Sequence, residues 1–189
     1  MRVHSAGEMD LKAAFESGMT VDAYVSLLEE GRDVHALHAR RAILPDDALA
    51  VIRDAGPHRV LVITEPWCGD SLVVFPVVER LFREAGDSEL RVVRRDEHLA
   101  LMDRYLTRGG RAIPVVILLD AAFGERGHWG PRPAPAQAIF EANREALEQG
   151  RVDRREVSKK MRAFFGADRG ETIVREMAAL LVEDTAGPR

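Results

Sequence analysis

The sequence almost lacks cysteine, since Cys68 is the only one in 189 residues. A single thiol cannot form an intramolecular disulfide. Any sulfur chemistry therefore needs a partner's sulfur, a small thiol, a metal or a second copy of the chain. This excludes a small secreted domain held together by disulfides. No apolar stretch of the signal-peptide type is found near the N-terminus, and together these two absences predict a cytoplasmic protein.

Long apolar runs and a large excess of one charge are also missing. No run approaches the roughly 18 apolar residues that a membrane span requires. The 27 basic residues nearly balance the 31 acidic ones, and the formal net charge is -4. A nucleic-acid-binding protein would normally carry a basic surface. We therefore expect neither a membrane nor a nucleic acid as partner.

What remains is a globular composition, with 46% hydrophobic and 31% charged residues, and a pattern typical of an α/β protein. In the first third, Thr20 is expected to cap a helix that ends before Gly31, and a second helix is expected between Pro45 and Gly56. Apolar runs and helical periodicity then predict further elements. They are strand 60–63, helix 68–85, strand 90–93, helix 99–106, strand 115–119, strand 126–129, helix 133–148 and two helices around 157–165 and 173–181.

This order predicts one mixed central sheet of about four strands, with helices on both sides. We expect a single domain over residues 1–189. Its parts are a helical N-terminal extension at 1–56, an α/β core at 57–150, C-terminal helices at 151–183 and a frayed tail at 184–189.

The lone thiol lies in segment 66–71, which reads Pro-Trp-Cys-Gly-Asp-Ser and connects a strand to a helix. Functional sites of open α/β sheets are found at the carboxyl ends of the strands, where this segment would lie. The free amides and the positive end of the helix dipole would stabilise a thiolate at Cys68, whereas the carboxylate of Asp70 would oppose it. Gly69 would allow a tight turn, and Ser71 could donate a hydrogen bond to the sulfur. The alternative is that Cys68 is simply a small buried hydrophobic residue.

These residues resemble a known family. Segment 67–71 is similar to the Trp-Cys-Gly-Pro-Cys site of thioredoxins, with serine in place of the second cysteine. Pro76 resembles the proline of the thioredoxin active-site helix, and Ile113-Pro114 resembles the cis-proline element that faces the sulfur. Over roughly residues 20–180 the chain is similar to a bacterial thioredoxin-like family with a Trp-Cys-Gly-Asp site. The resemblance implies a thioredoxin-like three-layer α/β/α sandwich, with helical extensions at both ends.

The resemblance also implies a function, which is monothiol thiol–disulfide exchange with Cys68 as nucleophile. Ser71 cannot resolve a mixed disulfide, so an external thiol would have to do so. The expected partner is a disulfide-containing protein or a low-molecular-weight thiol. Trp67, Gly69, Asp70 and Ser71 would surround the sulfur, whereas the backbone at Ile113 and Pro114 would hold the substrate.

Arg132 is a further candidate for substrate binding, because Pro131 and Pro133 restrict the backbone on both sides of it. Its guanidinium could bind the carboxylate of a small thiol or support the thiolate. The alternative is a structural ion pair with an acid such as Asp96 or Glu65.

No cofactor or metal is expected. His35 and His38 share a helical face, but no third ligand accompanies them. Cys-Gly-Asp-Ser is similar to the Cys-Gly-Phe-Ser site of monothiol glutaredoxins that bind iron–sulfur clusters. However, Asp70 in place of the phenylalanine and Trp67 before the cysteine make a cluster an unfavoured alternative.

Two other functions stay open at this point. One is a non-catalytic thioredoxin-fold adaptor, in which Cys68 is vestigial and the terminal helices form the partner surface. The other is a thiol-based oxidant sensor that reacts without turning over. The sequence leaves the oligomeric state open.

Overall fold

A computed structural model describes residues 10–185 of the chain. Helices precede, separate and follow the strands, in the order expected of an α/β protein. The elements are α1 (Leu11–Ser17), α2 (Val21–Ser26), α3 (Gly31–Arg41), α4 (Asp46–Asp54), β1 (His58–Thr64), α5 (Gly69–Ala85), β2 (Ser88–Arg94), a 3₁₀ turn (Arg95–Glu97), α6 (Leu99–Met102), β3 (Val115–Leu119), β4 (Glu125–Trp129), α7 (Ala134–Glu148), α8 (Arg154–Asp168) and α9 (Glu171–Thr185).

The strands form one mixed sheet in the order β2-β1-β3-β4. β1 runs parallel to β2 and antiparallel to β3, and β4 is antiparallel to β3. The central strands β1 and β3 are almost continuously apolar because both of their faces are buried. The predicted α/β fold with a mixed sheet of about four strands is confirmed.

The sheet separates two apolar cores, because successive side chains of a strand point to opposite faces. Val60 and Val62 of β1 pack with α4, α5, α8 and α9 on one face. Leu61 and Ile63 pack on the other face with residues of α1, α6 and the segment before β3, and Cys68 belongs to this second core. The cysteine is therefore placed at the boundary between the sheet and its smaller helical layer.

The structure differs from the predicted elements in several places. α1 and α3 are helices that were not predicted. In α3 the only buried residue is His35, so this helix has no buried apolar stripe that would identify it in the sequence. The helix expected through residue 106 ends at Met102 instead, and the chain then folds into a tight turn in which Thr107 pairs with Gly110. α4 lies between Pro45 and Gly56 as expected, with Pro45 at its N-cap position.

Both predicted ends extend beyond the described residues. The tail expected to fray from residue 184 begins inside α9, which runs to Thr185. The start of the N-terminal extension, residues 1–9, lies outside the described residues. None of the helices within residues 10–185 combines the length and apolar character that crossing a membrane requires.

Candidate active site

Cys68 occupies the N-cap position of α5, directly after the loop that follows β1. Its backbone is extended, with φ -80° and ψ 115°, and its carbonyl accepts the amide of Leu72 at 3.1 Å. Its own amide donates to the carbonyl of Glu65 at 3.1 Å. No side chain within residues 10–185 caps the first turn of α5. The free amides of that turn are therefore available to a negative charge on the sulfur.

The sulfur faces the segment that leads into β3. Sγ of Cys68 donates to the carbonyl oxygen of Ile113 at 3.5 Å, and Cys68 as a whole is 8% exposed. The Ile113–Pro114 peptide bond is cis. Within residues 10–185 the amides of Ala112 and Ile113 have no hydrogen-bond partner. The site thus combines a nearly buried sulfur with a neighbouring backbone segment that can still donate hydrogen bonds.

The end of β4 fixes the position of this segment. Gly130, with φ 130°, packs so closely that a Cβ atom there would lie 2.2 Å from the carbonyl oxygen of Pro114. Only glycine tolerates both this backbone conformation and the close contact. The Gly130–Pro131 bond is also cis, a feature that the sequence analysis did not predict.

Ser71 is buried below the sulfur and is part of a hydroxyl network. Its Oγ accepts a hydrogen bond from Thr64 Oγ1 at 2.6 Å, and the hydroxyl of Tyr24 lies 3.5 Å from the same threonine oxygen. Burial raises the pKa of Tyr24 to about 12, so this phenol is neutral at pH 7. The hydrogen bonds of the described residues do not include the predicted one from Ser71 to the Cys68 sulfur.

Asp70 and Arg132 form a largely buried ion pair beside the sulfur. Nη2 of Arg132 lies 2.6 Å from Oδ2 of Asp70, and Nη1 donates to Gln137 Oε1 at 3.1 Å. The guanidinium also lies 4.4 Å from the centre of the Phe140 ring. Among the described residues the acid paired with Arg132 is thus Asp70, and not Asp96 or Glu65 as the sequence suggests. The pair offsets the negative charge that would otherwise oppose a thiolate at Cys68.

Glu65, which the sequence analysis treated only as a partner for Arg132, is instead fully buried at the end of β1. It accepts from Arg94 Nε at 3.1 Å and from the amide of Asp96 at 2.9 Å. Glu65 raises the pKa of Arg94 through this hydrogen bond and ion pair. It therefore anchors the 3₁₀ turn next to the site, and its negative charge balances the positive charge of Arg94.

Trp67 lies on the exposed side of the site. The residue is 60% exposed, and the guanidinium of Arg95 lies 4.8 Å from the centre of its ring. An exposed indole beside a nearly buried sulfur offers a flat apolar contact to an approaching partner.

A cavity of about 500 Å³ opens on the opposite side of the first turn of α5. Gly69, Asp70 and Arg132 line it, whereas Cys68 does not. This cavity could not be predicted from the sequence, because helices from distant parts of the chain build it. Elsewhere, the described residues contain no group of three or more histidine, cysteine, aspartate or glutamate side chains suited to a metal ion.

Comparisons with known proteins agree with this architecture. The crystal structure of a protein of unknown function from Pseudomonas aeruginosa superposes with a TM-score of 0.71 at 20% identity, covering 94% of this chain and 99% of that one. The crystal structure of an HIV epitope scaffold superposes with a TM-score of 0.68 at 18% identity, covering 93% and 98%. Both likenesses concern the fold alone. No curated protein matches the sequence.

A family profile is more informative, because it matches the sequence itself. The family described as Thioredoxin matches residues 18–147, a range that includes β1, the Cys68 loop, α5, the Ile113–Pro114 segment and β4. The chain therefore belongs to this thioredoxin family.

Proposed function

We propose that this protein performs monothiol thiol–disulfide exchange, with Trp-Cys-Gly-Asp as its site and Cys68 as its nucleophile. The observation that carries the proposal is the position of Sγ, at the uncapped start of α5 and 3.5 Å from the carbonyl of Ile113. In the first step the Cys68 thiolate attacks one sulfur of a partner disulfide. A new S–S bond forms, the old one breaks, and the other partner sulfur leaves as a thiolate with the electron pair.

A second thiol must complete the cycle, because Ser71 has no sulfur. An external thiolate attacks the mixed disulfide, forms an S–S bond to the partner sulfur and releases Cys68 as thiolate. Over the cycle the external thiol is oxidised into a new disulfide with one partner sulfur, the other partner sulfur is released as a thiolate, and the protein ends unchanged. The proposed partners are a disulfide-containing protein and a low-molecular-weight thiol, and the reduced thiols of the cytoplasm would suit this cycle.

Substrate would approach along the Ala112–Ile113 segment. The unpaired amides there can bind the backbone of an extended peptide or of a small thiol peptide. Trp67, which is 60% exposed, would cover the apolar side of the same substrate. Arg132 contributes indirectly in this scheme, because its ion pair with Asp70 lowers the negative charge near the sulfur.

Intact-mass spectrometry after incubation with oxidised glutathione tests the proposal. Because Cys68 is the only cysteine, one glutathione adduct is expected on the folded protein and none on Cys68→Ser. Excess reduced thiol should then remove the adduct. The matched control is the same protein unfolded in urea, whose thiol has no structured environment. Folded protein that reacts more slowly than unfolded protein would contradict the proposed activation of Cys68.

The low exposure of the sulfur supports a second candidate, a thioredoxin-fold adaptor in which Cys68 takes no part. At 8% exposed, Cys68 resembles the small buried hydrophobic residue that most free cysteines are. An adaptor would keep its stability and its partners after Cys68→Ser, and it would form no mixed disulfide under mild oxidant. An oxidant sensor would instead form a sulfenic acid with peroxide, detectable with dimedone, without turning over disulfides.

A further inference from the structure

The cavity of about 500 Å³ lies between α3, α5, α7 and α8. Its volume falls within the range of small-molecule sites, which is roughly 300–1,000 Å³. All four helices contribute apolar side chains to its wall. These include Val34, Val73, Phe140, Leu147, Met161 and Phe165. Such a wall favours the apolar body of a ligand over a fully polar one.

One edge of the cavity is positively charged. Arg154, Ser158 and Arg162 follow one another at intervals of four along α8, so they share one helix face, and all three line the cavity. Arg154 and Arg162 are exposed, and in the part of the chain that the structure describes neither has an ion-pair partner. Their guanidinium groups are therefore free to bind an anion.

The remaining polar groups of the lining do not cancel this charge. Arg132 adds a third guanidinium, and the only carboxylate of the lining, Asp70, is paired with it. Nε of Arg132 is buried and makes no hydrogen bond to any residue that the structure describes. Burial and the nearby Arg41 lower the pKa of His38, so its ring is neutral at pH 7 and offers hydrogen bonds rather than charge. The lining is thus cationic in a protein whose formal net charge is -4.

We propose that this cavity binds a small amphipathic carboxylate, with an aliphatic or aromatic body in the apolar interior and its carboxylate at Arg154 and Arg162. Guanidinium groups suit this role because their planar donors match a carboxylate. A concave wall built by four helices fits a discrete molecule, whereas a membrane surface would meet a protruding apolar face. The proposed carboxylate position does not require the thiol, because Cys68 is absent from the lining, although the neighbouring Asp70–Arg132 pair contributes to it.

Isothermal titration calorimetry of the full chain with decanoate tests the proposal, with decanol as the uncharged match. Decanoate is expected to bind more tightly than decanol. Replacing the two exposed arginines of the cavity, Arg154→Gln with Arg162→Gln, should weaken decanoate binding by about tenfold or more. The matched control is Arg155→Gln with Lys159→Gln, two exposed residues of α8 that do not line the cavity. This control should leave the affinity unchanged. Ser158→Trp, which places a large side chain at the edge, should abolish binding.

The replaced residues are all exposed, so circular dichroism should show folded variants and binding losses can be attributed to the site. Absence of decanoate binding up to ~1 mM would overturn the proposal. Equal affinity for decanol, or an equal loss in both arginine variants and the control pair, would do so as well. Binding to anionic vesicles without binding to monomeric decanoate would assign the face to a membrane instead. The same titration on Cys68→Ser should match the wild type, which separates this result from the outcome of the thiol experiments.

Discussion

Acidification should destabilise the fold through His35, a 6% exposed histidine on α3 that packs against α5. Its Nε2 lies 3.2 Å from Oε2 of Glu79, but the two atoms do not meet hydrogen-bond geometry, and neither has another partner among the described residues. Burial lowers the pKa of His35 from 6.5 to about 4, with a smaller contribution from the nearby His38. The buried ring is therefore neutral at pH 7.

The direction of the effect follows from proton binding. The unfolded chain protonates His35 near its ordinary pKa of 6.5, whereas the folded protein does so only near 4. Between these values the unfolded state binds more protons, so stability falls as the pH is lowered. The full difference corresponds to ~3 kcal/mol, of which ~2 kcal/mol should be lost between pH 7 and about pH 5.

Neighbouring groups modify this figure. Burial also lowers the pKa of His58, and burial with Arg41 lowers that of His38, so both add to the loss at acidic pH. Burial raises the pKa of Glu79, although Arg83 works against it. The folded protein therefore protonates Glu79 at a higher pH than the unfolded chain does. This partly offsets the loss of stability as the pH falls.

Urea unfolding at pH 7 and at about pH 5 measures the effect in wild type and His35→Gln. The wild type should lose ~2 kcal/mol more than the variant between the two pH values. Any loss of unfolding free energy that the substitution causes equally at both pH values cancels, because the measured quantity is the difference between the two pH values. Leu37→Gln, at an exposed and non-titratable position of the same helix, is the control and should keep the pH dependence of the wild type. Identical pH dependence of wild type and His35→Gln would refute the reasoning.

Three further substitutions probe the site. Gly130→Ala should cost at least ~3 kcal/mol in urea unfolding, because its Cβ would lie 2.2 Å from the Pro114 carbonyl oxygen; a loss below ~1 kcal/mol would contradict this packing. Ser71→Cys should supply a resolving thiol, so that mass spectrometry shows glutathione adducts on Cys68 decaying without added thiol; persistent adducts would contradict it. Arg132→Met should slow adduct formation about threefold, since it leaves the adjacent carboxylate unpaired; an unchanged rate would show that the ion pair does not affect the thiol.

The sheet could be predicted because each central strand can be recognised from its own residues. β1 and β3 are buried on both faces, and each is a short apolar run that periodicity identifies directly. α3 could not be predicted in this way. It is rich in charged residues and buries only His35, so its stability comes from packing against α5 rather than from its own pattern.

The site was predictable only as far as its motifs extend. Segment 66–71 and Ile113-Pro114 allowed the sulfur and the backbone facing it to be predicted, but not the acid that pairs with Arg132. The end of β4 determines where Arg132 lies, and Gly130 sets that position through its contact with Pro114. A pairing with Asp70 therefore depends on tertiary packing that no local pattern encodes.

The first turn of α5 is the element that the two proposals share. On one side its N-cap presents the sulfur to Ile113, and on the other Gly69 and Asp70 line the cavity. Asp70 and Arg132 connect the two regions, because they form an ion pair next to Cys68 and both line the cavity. A ligand carboxylate held at Arg154 and Arg162 leaves this pair intact, so decanoate should not alter the rate of Cys68 modification. A carboxylate that instead captured Arg132 would release Asp70 and slow that reaction, and the two modes can be told apart by this rate alone.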